Sequence, residues 1–456
     1  MAKLWDKGSS KGKGTNKETA KAVEKFTVGN DYLLDKQLVC ADALTTAAHA
    51  MMLKKIGILD KNELKKLKKE LKKIFNLGTK DKFEISQKDE DVHTAIENHL
   101  TKTVGKAGKK IHTGKSRNDQ VLTDTKLYTK YMLLKIEKEL IDFANTLQKL
   151  AKKEQFTVMP GYTHMQKAMP SSIGLWAAGF LESTLNDYET INFAYTQNDS
   201  CPLGSAAGYG VNLPLDREYA AKLLGFKKID NAVTYPQISR GKTELNTLNA
   251  LNNIMLTINK LATDLSIFTM SEFDYFKVPD GFTTGSSIMP QKKNQDVCEL
   301  IKGKSAVMQG YIAQLNSLYL NLMSGYNRNM QLVKEPLING LSLCLETLSI
   351  TNMLMKKIKV NKESLTKAMT PELFAADYAN ELVKQGATFR DAYKVVGKNL
   401  DTLKAIDPVK NIKSKKSTGM TGNLKLNKAK SAINKMKLDH NKKNKSFSGA
   451  INKLLA

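Results

Sequence analysis

The sequence predicts an all-α protein, on three observations. Residues 61–75 place Leu64, Leu67, Leu71 and Ile74 on one stripe with lysines elsewhere, the period of an amphipathic helix. Residues 122–154 contain neither Pro nor Gly, and Leu127, Tyr131, Leu134 and Ile141 recur at close to heptad spacing, as in a helix inside a bundle. Further long stretches, 171–198, 244–275, 295–322 and 334–357, are helical in pattern.

Composition narrows the class. With 456 residues and 41% hydrophobic content the chain can bury a sizeable core, so wholesale disorder is not expected. Cys40, Cys201, Cys298 and Cys344 are scattered and form no C-x-x-C pair, so neither a disulfide framework nor a zinc site is indicated. The start, Met1-Ala-Lys-Leu-Trp-Asp, is polar and no long uncharged apolar run follows, so a soluble cytoplasmic protein without membrane contact is expected. The net charge of +26 comes mostly from lysine. After Asp407 the only acid is Asp439, while lysines recur from Lys410 to Lys453. Such a tail could contact phosphates, but residues 61–75 carry the same lysine bias, so solvated faces are expected and nucleic acid is not.

Residues 1 to about 30 carry Gly8, Gly12 and Gly14 among lysines and are expected as a loose basic arm. Residues 31–59 are helical in pattern, and a break follows the amphipathic helix at 76–79. Asp89-Glu90-Asp91 puts acids at a helix N-terminus. His93 and Glu97 stand four apart on one face, but the sequence offers them no further ligands, so hydrogen bonding is expected rather than a metal. Gly114 then breaks the chain before Ser116, Arg117 and Asn118, donors at a helix start where an anion would be well held. Pro160-Gly161 marks a turn between long helices that presents Thr163 and His164, and imidazole is suited to proton transfer near neutral pH. Residues 201–210 form a loop of small residues. The stretch from Gly285 to Asn294 packs small residues, Ser286, Ser287, Lys292 and Lys293 into a loop flanked by breakers. Lys292 and Asn294 could hold an oxyanion, and Ser286 is a candidate base beside positive charge. The plain alternative is a solvated basic turn. Residues 359–399 carry shorter helices, one started near Pro371 and one ended near Gly386.

Three of these stretches, His112–Gln120, Gly161–Gln166 and Gly285–Asn294, together resemble the signature regions of the fumarase/aspartase superfamily. Gln291-Lys292-Lys293-Asn294, His112-Thr113-Gly114 with Ser116-Arg117-Asn118-Asp119-Gln120, and Gly161-Tyr162-Thr163-His164 resemble its argininosuccinate lyase branch, as does Tyr326-Asn327-Arg328-Asn329-Met330-Gln331 with Lys334-Glu335-Pro336. The resemblance spans residues 31–397 with order kept. It implies three helical domains, here 1–111 with the basic arm, 112–358 as a long central bundle, and 359–456 with the Lys-rich tail. It also implies a homotetramer with a shared helical core, each active site drawing its signature regions from three chains. The implied reaction is cofactor-free and metal-free: argininosuccinate gives fumarate and arginine. Ser286 would take the carbon-bound proton, and Lys292 and Asn294 would hold the charge that forms. His164, oriented by Glu299, would serve the leaving group. Ser116, Arg117, Asn118 and Thr163 would grip the succinyl carboxylates; Tyr326, Gln331 and Lys334 would position the arginine end, with Arg240 a weaker addition.

The sequence departs from the family pattern in places. Lys115 replaces an arginine and Gln295 a proline. The stretch Thr27-Val28-Gly29-Asn30-Asp31 is one residue longer and lacks a substrate-binding serine, so either Asn30 or Asp31 takes that role or the contact is lost. Leu332-Val333 replaces an acidic pair, and in Ser239-Arg240-Gly241-Lys242 the arginine is shifted by one. Two other classes are weighed: a sister lyase of the adenylosuccinate type, and a non-catalytic crystallin-like homologue. The His112–Gln120 string speaks against the first, and the presence of His164, Ser286, Lys292 and Glu299 against the second.

Overall fold

A computed structural model describes residues 17–456, and helices make up most of them. Part of the expected basic arm, residues 1–16, lies outside the described residues; beyond it the chain is not loose but helical, as α1 (Lys17–Val28). Helix α2 (Val39–Lys55) is buried along most of its length. Helix α3 (Lys61–Gly78) starts at a capping box. Asp60 accepts from the N–H groups of Asn62 and Glu63 at 2.7 and 2.8 Å, and Glu63 accepts from the Asp60 N–H at 3.0 Å. It buries Leu67, Leu71 and Ile74, leaves Leu64 half-buried, and ends at Gly78, inside the break expected at 76–79. Helix α4 (Val92–Val104) is capped by Asp91, which accepts from the Thr94 N–H at 2.9 Å.

The long element is α5 (Arg117–Lys153), 37 residues and therefore about 55 Å. Leu127, Leu134 and Ile141 are buried on it as their spacing predicted. Tyr131 is not; it is 47% exposed at the edge of the stripe, with the Lys135 ammonium 4.3 Å above its ring. Helices α6 (Ile173–Asn198), α7 (Lys242–Phe268), α8 (Asp296–Tyr319) and α9 (Lys334–Lys357) complete a five-helix bundle. In it α5 packs on α6 and α9, and α7 on α6, α8 and α9. The segment Arg328–Lys357 is apolar enough to cross a membrane by length and composition, but 56% of its most apolar window is buried inside this bundle. Helices α10 (Ala375–Lys384) and α11 (Phe389–Gly397) pair around a small cluster of Ala379, Ala392 and Val396.

The lysine-rich end, expected as a tail, is α12 (Leu426–Leu455), which returns to pack on α5, α2 and α6. Its position is fixed by charge. Buried Glu137 of α5 accepts from Lys443 at 2.8 Å and lies 3.2 Å from the His440 ring, while Tyr188 donates to Asp439 at 2.8 Å. Those basic residues are packed rather than solvated.

Between α5 and α6 the structure differs from expectation. Instead of a simple turn it has a β-hairpin, β1 (Val158–Thr163) against β2 (Gln166–Ser172), antiparallel with a bulge between Pro160 and Tyr162. His164 and Met165 form its two-residue tip, both with positive φ, 52° and 62°. Non-glycine residues adopt this conformation at a cost of about 1–2 kcal/mol each. Met165→Val, β-branched at a left-handed position, is therefore expected to lower unfolding free energy by about 1 kcal/mol, while Met165→Gly is expected to keep or raise it. Denaturant midpoints of the two variants check this.

Candidate active site

The signature stretch before α5 is built by one carboxylate. Ser116 caps the helix, its Oγ accepting from the Asn118 N–H at 3.2 Å. Buried Asp119 accepts from the Ser116 N–H at 2.8 Å on one oxygen and from Gly204 and Ala206 N–H at 2.9 Å on the other. Asp119 thus ties this stretch to the small-residue loop at 201–210. Burial pushes its pKa up to about 6, against the pull of those three N–H donors. Gly114, just upstream, has φ +75°, and a Cβ there would lie 2.9 Å from Leu215 Cδ2. Asp119→Ala would leave the buried Gly204 and Ala206 N–H groups and the half-buried Ser116 N–H without acceptors and is expected to cost about 3 kcal/mol, read by urea unfolding.

Beside it lies a charged pocket. Six of the sequence-predicted site residues line it: Arg117, Asn118, Arg240, Tyr326, Gln331 and Lys334. They come from the start of α5, the turn before α7 and the segment leading into α9. Arg117 pairs with Asp91 at 3.0 Å and Glu90 at 3.2 Å and donates to Thr94 Oγ1 at 2.7 Å, so its guanidinium is held in place by the start of α4. Lys334 is buried between Asp35 at 2.7 Å and Asp31 at 3.0 Å. Burial works against its charge, but Asp35 and Asp31 outweigh it and hold its pKa above the usual lysine value. Burial in turn lifts Asp35 to about 6, since one ammonium serves several carboxylates. Gln331 donates to the Thr27 and Val28 carbonyls at 3.1 and 3.3 Å, and Arg328 donates to Thr27 O at 2.9 Å. These bonds clamp the end of α1 over the pocket.

Arg240 is the unusual member. It is 5% exposed, its guanidinium carbon lies 5.0 Å from the Tyr326 ring centroid, and its Nε and Nη1 have no hydrogen-bond partner among the described residues. Glu244 and Asp31 attract its charge, but the two unmet N–H positions leave room for an anionic ligand.

The other predicted residues stand elsewhere. Thr163 and His164 are exposed at the hairpin tip. Ser286, Lys292 and Asn294 belong to a loop whose two ends pair as β3 (Thr284–Gly285) and β4 (Lys293–Asn294), and Glu299 is exposed in the first turn of α8. Ser286 Oγ accepts from the N–H groups of Met289 and Ile288 at 3.1 and 3.3 Å. Two such donors favour negative charge on that oxygen. Asn294 Nδ2 reaches Thr284 Oγ1 at 3.5 Å, and Lys293 pairs with Asp280 at 2.6 Å. None of Thr163, His164, Ser286, Lys292, Asn294 and Glu299 lines the pocket of Arg240 in this chain.

The likeness to known proteins agrees with this layout. A family model described as Lyase matches residues 14–310. The argininosuccinate lyase of Sorangium cellulosum is 41% identical over 424 residues, 93% of this chain and 96% of that protein. This chain belongs to the argininosuccinate lyase family. The argininosuccinate lyase of Thermotoga neapolitana is 38% identical over 394 residues, 86% of this chain and 97% of its own. Among solved structures, EDDS lyase in complex with formate shares the fold with a TM-score of 0.81 at 20% identity, covering 94% of each chain. The class II fumarase of Schistosoma mansoni does so at 0.70 and 15% identity, covering 85% of this chain and 94% of that one. The all-α superfamily fold expected from sequence is thus the fold of this lyase.

For an argininosuccinate lyase family member, the pocket holds residues that the sequence did not single out. Glu90 and Asp91 read only as helix-start acids, and Arg328 as part of a longer string. Asp31, left open with Asn30 as a stand-in for a missing serine, lines the pocket; Asn30 does not. His112, which the sequence did not connect with His93 and Glu97, stands beside both.

Proposed function

We propose that this lyase carries out the reversible elimination of argininosuccinate to fumarate and L-arginine, the last step of arginine synthesis, without a cofactor. The observation that most supports this substrate is the pocket in which buried Arg240 faces unpaired into a site shared with Arg117, Asn118, Gln331 and Lys334. Cations suit the succinyl carboxylates, and Glu90, Asp91 and Asp31 hold Arg117 and Lys334 in place for them. Asp31 takes the place of the missing serine.

The chemistry is demanding because the proton removed lies beside a carboxylate and leaves a doubly charged aci-carboxylate. Ser286 removes it, its oxygen already facing two N–H donors. Lys292 and Asn294 hold the new charge, worth about 10²–10³ in rate for one well-placed donor. His164, set by Glu299, gives a proton to the departing guanidinium nitrogen. Ser116 and Thr163 join Arg117 and Asn118 on the carboxylates, and Tyr326 with Gln331 and Lys334 orients the arginine end.

Three chains supply these groups to each site, in a homotetramer that keeps domains 1–111, 112–358 and 359–456. The bundle surface supports this: α8 exposes Leu300 at 63% and Val307 at 45%, seven residues apart on one face, and α7 exposes Leu256 at 52%.

Fumarate absorbance after addition of argininosuccinate, with adenylosuccinate in parallel, tests the assignment. Release from argininosuccinate alone is expected. Release from adenylosuccinate alone would favour the sister lyase, and none from either would favour a crystallin-like role.

A further inference from the structure

A second group of side chains stands outside this pocket. His93 of α4 and Glu97, one turn later, meet His112 from the turn that precedes α5, with ligand atoms all within 4.8 Å of one another. His112 Nδ1 lies 3.2 Å from Glu97 Oε2, and His93 Nε2 lies 3.7 Å from the same oxygen. Tetrahedral zinc, with bonds of about 2.0–2.2 Å, keeps its ligand atoms about 3.3 Å apart. Two of the three separations, 3.2 and 3.7 Å, are thus close to what a cation needs, and the third is no more than 4.8 Å.

His93 gives an independent pointer. It is 2% exposed, and neither ring nitrogen has a hydrogen-bond partner among the described residues. Leaving buried polar atoms unmet costs about 1–3 kcal/mol. Its Nδ1 lies 3.5 Å from Oδ2 of the fully buried Asp42, a carboxylate that also faces Asp124. A metal on Nε2 would draw the Nδ1 proton to that carboxylate, the arrangement by which carboxylates orient metal-bound imidazoles. The His112 side chain is 35% exposed, which gives the ion a way in. The nearby Lys115 ammonium is faced by Asp42, Glu97, Asp124 and Asp119, so acid offsets its charge.

We propose that His93, Glu97 and His112 form a binding site for one divalent cation of the zinc class, with Asp42 orienting His93 and water in the fourth position. The ion would bridge α4, which holds Arg117 through Asp91, to the turn that leads into Ser116. No step of the elimination uses it.

The test takes full-length protein without a histidine tag, stripped with EDTA, dialysed and titrated with cobalt(II) chloride. One cobalt per chain is expected, with visible bands of four-coordinate intensity that zinc chloride abolishes. His112→Ala and Glu97→Gln should remove both uptake and bands, and Asp42→Asn should weaken binding about 10–100-fold. His99→Ala, whose ring lies 3.5 Å from Glu70 instead, should change neither. Absence of stoichiometric uptake by the unsubstituted protein overturns the proposal, as does uptake that persists in His112→Ala and Glu97→Gln. His112 is partly exposed, so its removal leaves the core intact, and circular dichroism of that variant checks this.

Discussion

Ser286→Ala is expected to lower kcat by about 10²–10⁴, with KM changed far less. The loss equals about 3–5 kcal/mol of transition-state stabilisation. It falls on kcat because the Ser286 oxygen acts only as the C–H bond breaks, while the charges that hold the ground state lie in the pocket of Arg117, Arg240 and Lys334. The local geometry gives alanine no substitute. The N–H groups of Ile288 and Met289, aimed at Ser286 Oγ, would face solvent and stabilise nothing that moves the proton. His164→Asn should show a loss of similar size on the leaving-group side. Turnover near that of the unsubstituted protein in Ser286→Ala would show that another group takes the proton.

Much of the fold is legible because helices are local. Leu67, Leu71 and Ile74 announce α3, and residues 334–357 give α9 to the residue. The hairpin at 158–172 was not legible, for a local reason. Its tip is His164-Met165, neither of which is a turn former, and Pro160, Gly161 and Pro170 hide the strands as breaks. Tyr131 misled for another: near-heptad spacing marks the neighbourhood of a buried stripe, and its edge is decided by what packs alongside. The lysine-rich end read as a tail because Glu137, the buried acid that docks Lys443 and His440, stands 306 and 303 residues away in sequence.

The candidate site divides in the same way. Arg117, Asn118, Ser286 and His164 stand in strings dense enough to be noticed. Asp31 and Arg240 do not, since one sits in a helix start and the other in a shifted motif. The sequence carries them only as weak candidates, and they gain weight when three distant parts of the chain close over Tyr326 and Lys334. His93, Glu97 and His112 repeat the lesson, because a pair four apart looks ordinary until a third ligand arrives from the next loop.

Mixing two inactive variants is expected to restore activity. Arg240→Met removes the buried guanidinium at similar volume and should lower kcat/KM about 100-fold or more through lost charge-assisted hydrogen bonds to a carboxylate. Its Nε and Nη1 have no hydrogen-bond partner among the described residues, so the substitution strands no acceptor of those two groups there. Ser286→Ala is defective in a loop that does not line the Arg240 pocket of its own chain. If one protomer's pocket meets another protomer's loop, random mixing of the two variants leaves roughly a quarter of the sites with both groups intact. Co-refolded mixtures should then turn over well above either parent, while unmixed parents stay low. If each site is instead completed within one chain, every site in the mixture carries one defect, and the mixture can do no better than the average of its parents. Complementation therefore separates a shared site from a self-contained one without an inhibitor or a second structure, and failure to recover activity in verified mixed oligomers would refute sharing between these two groups.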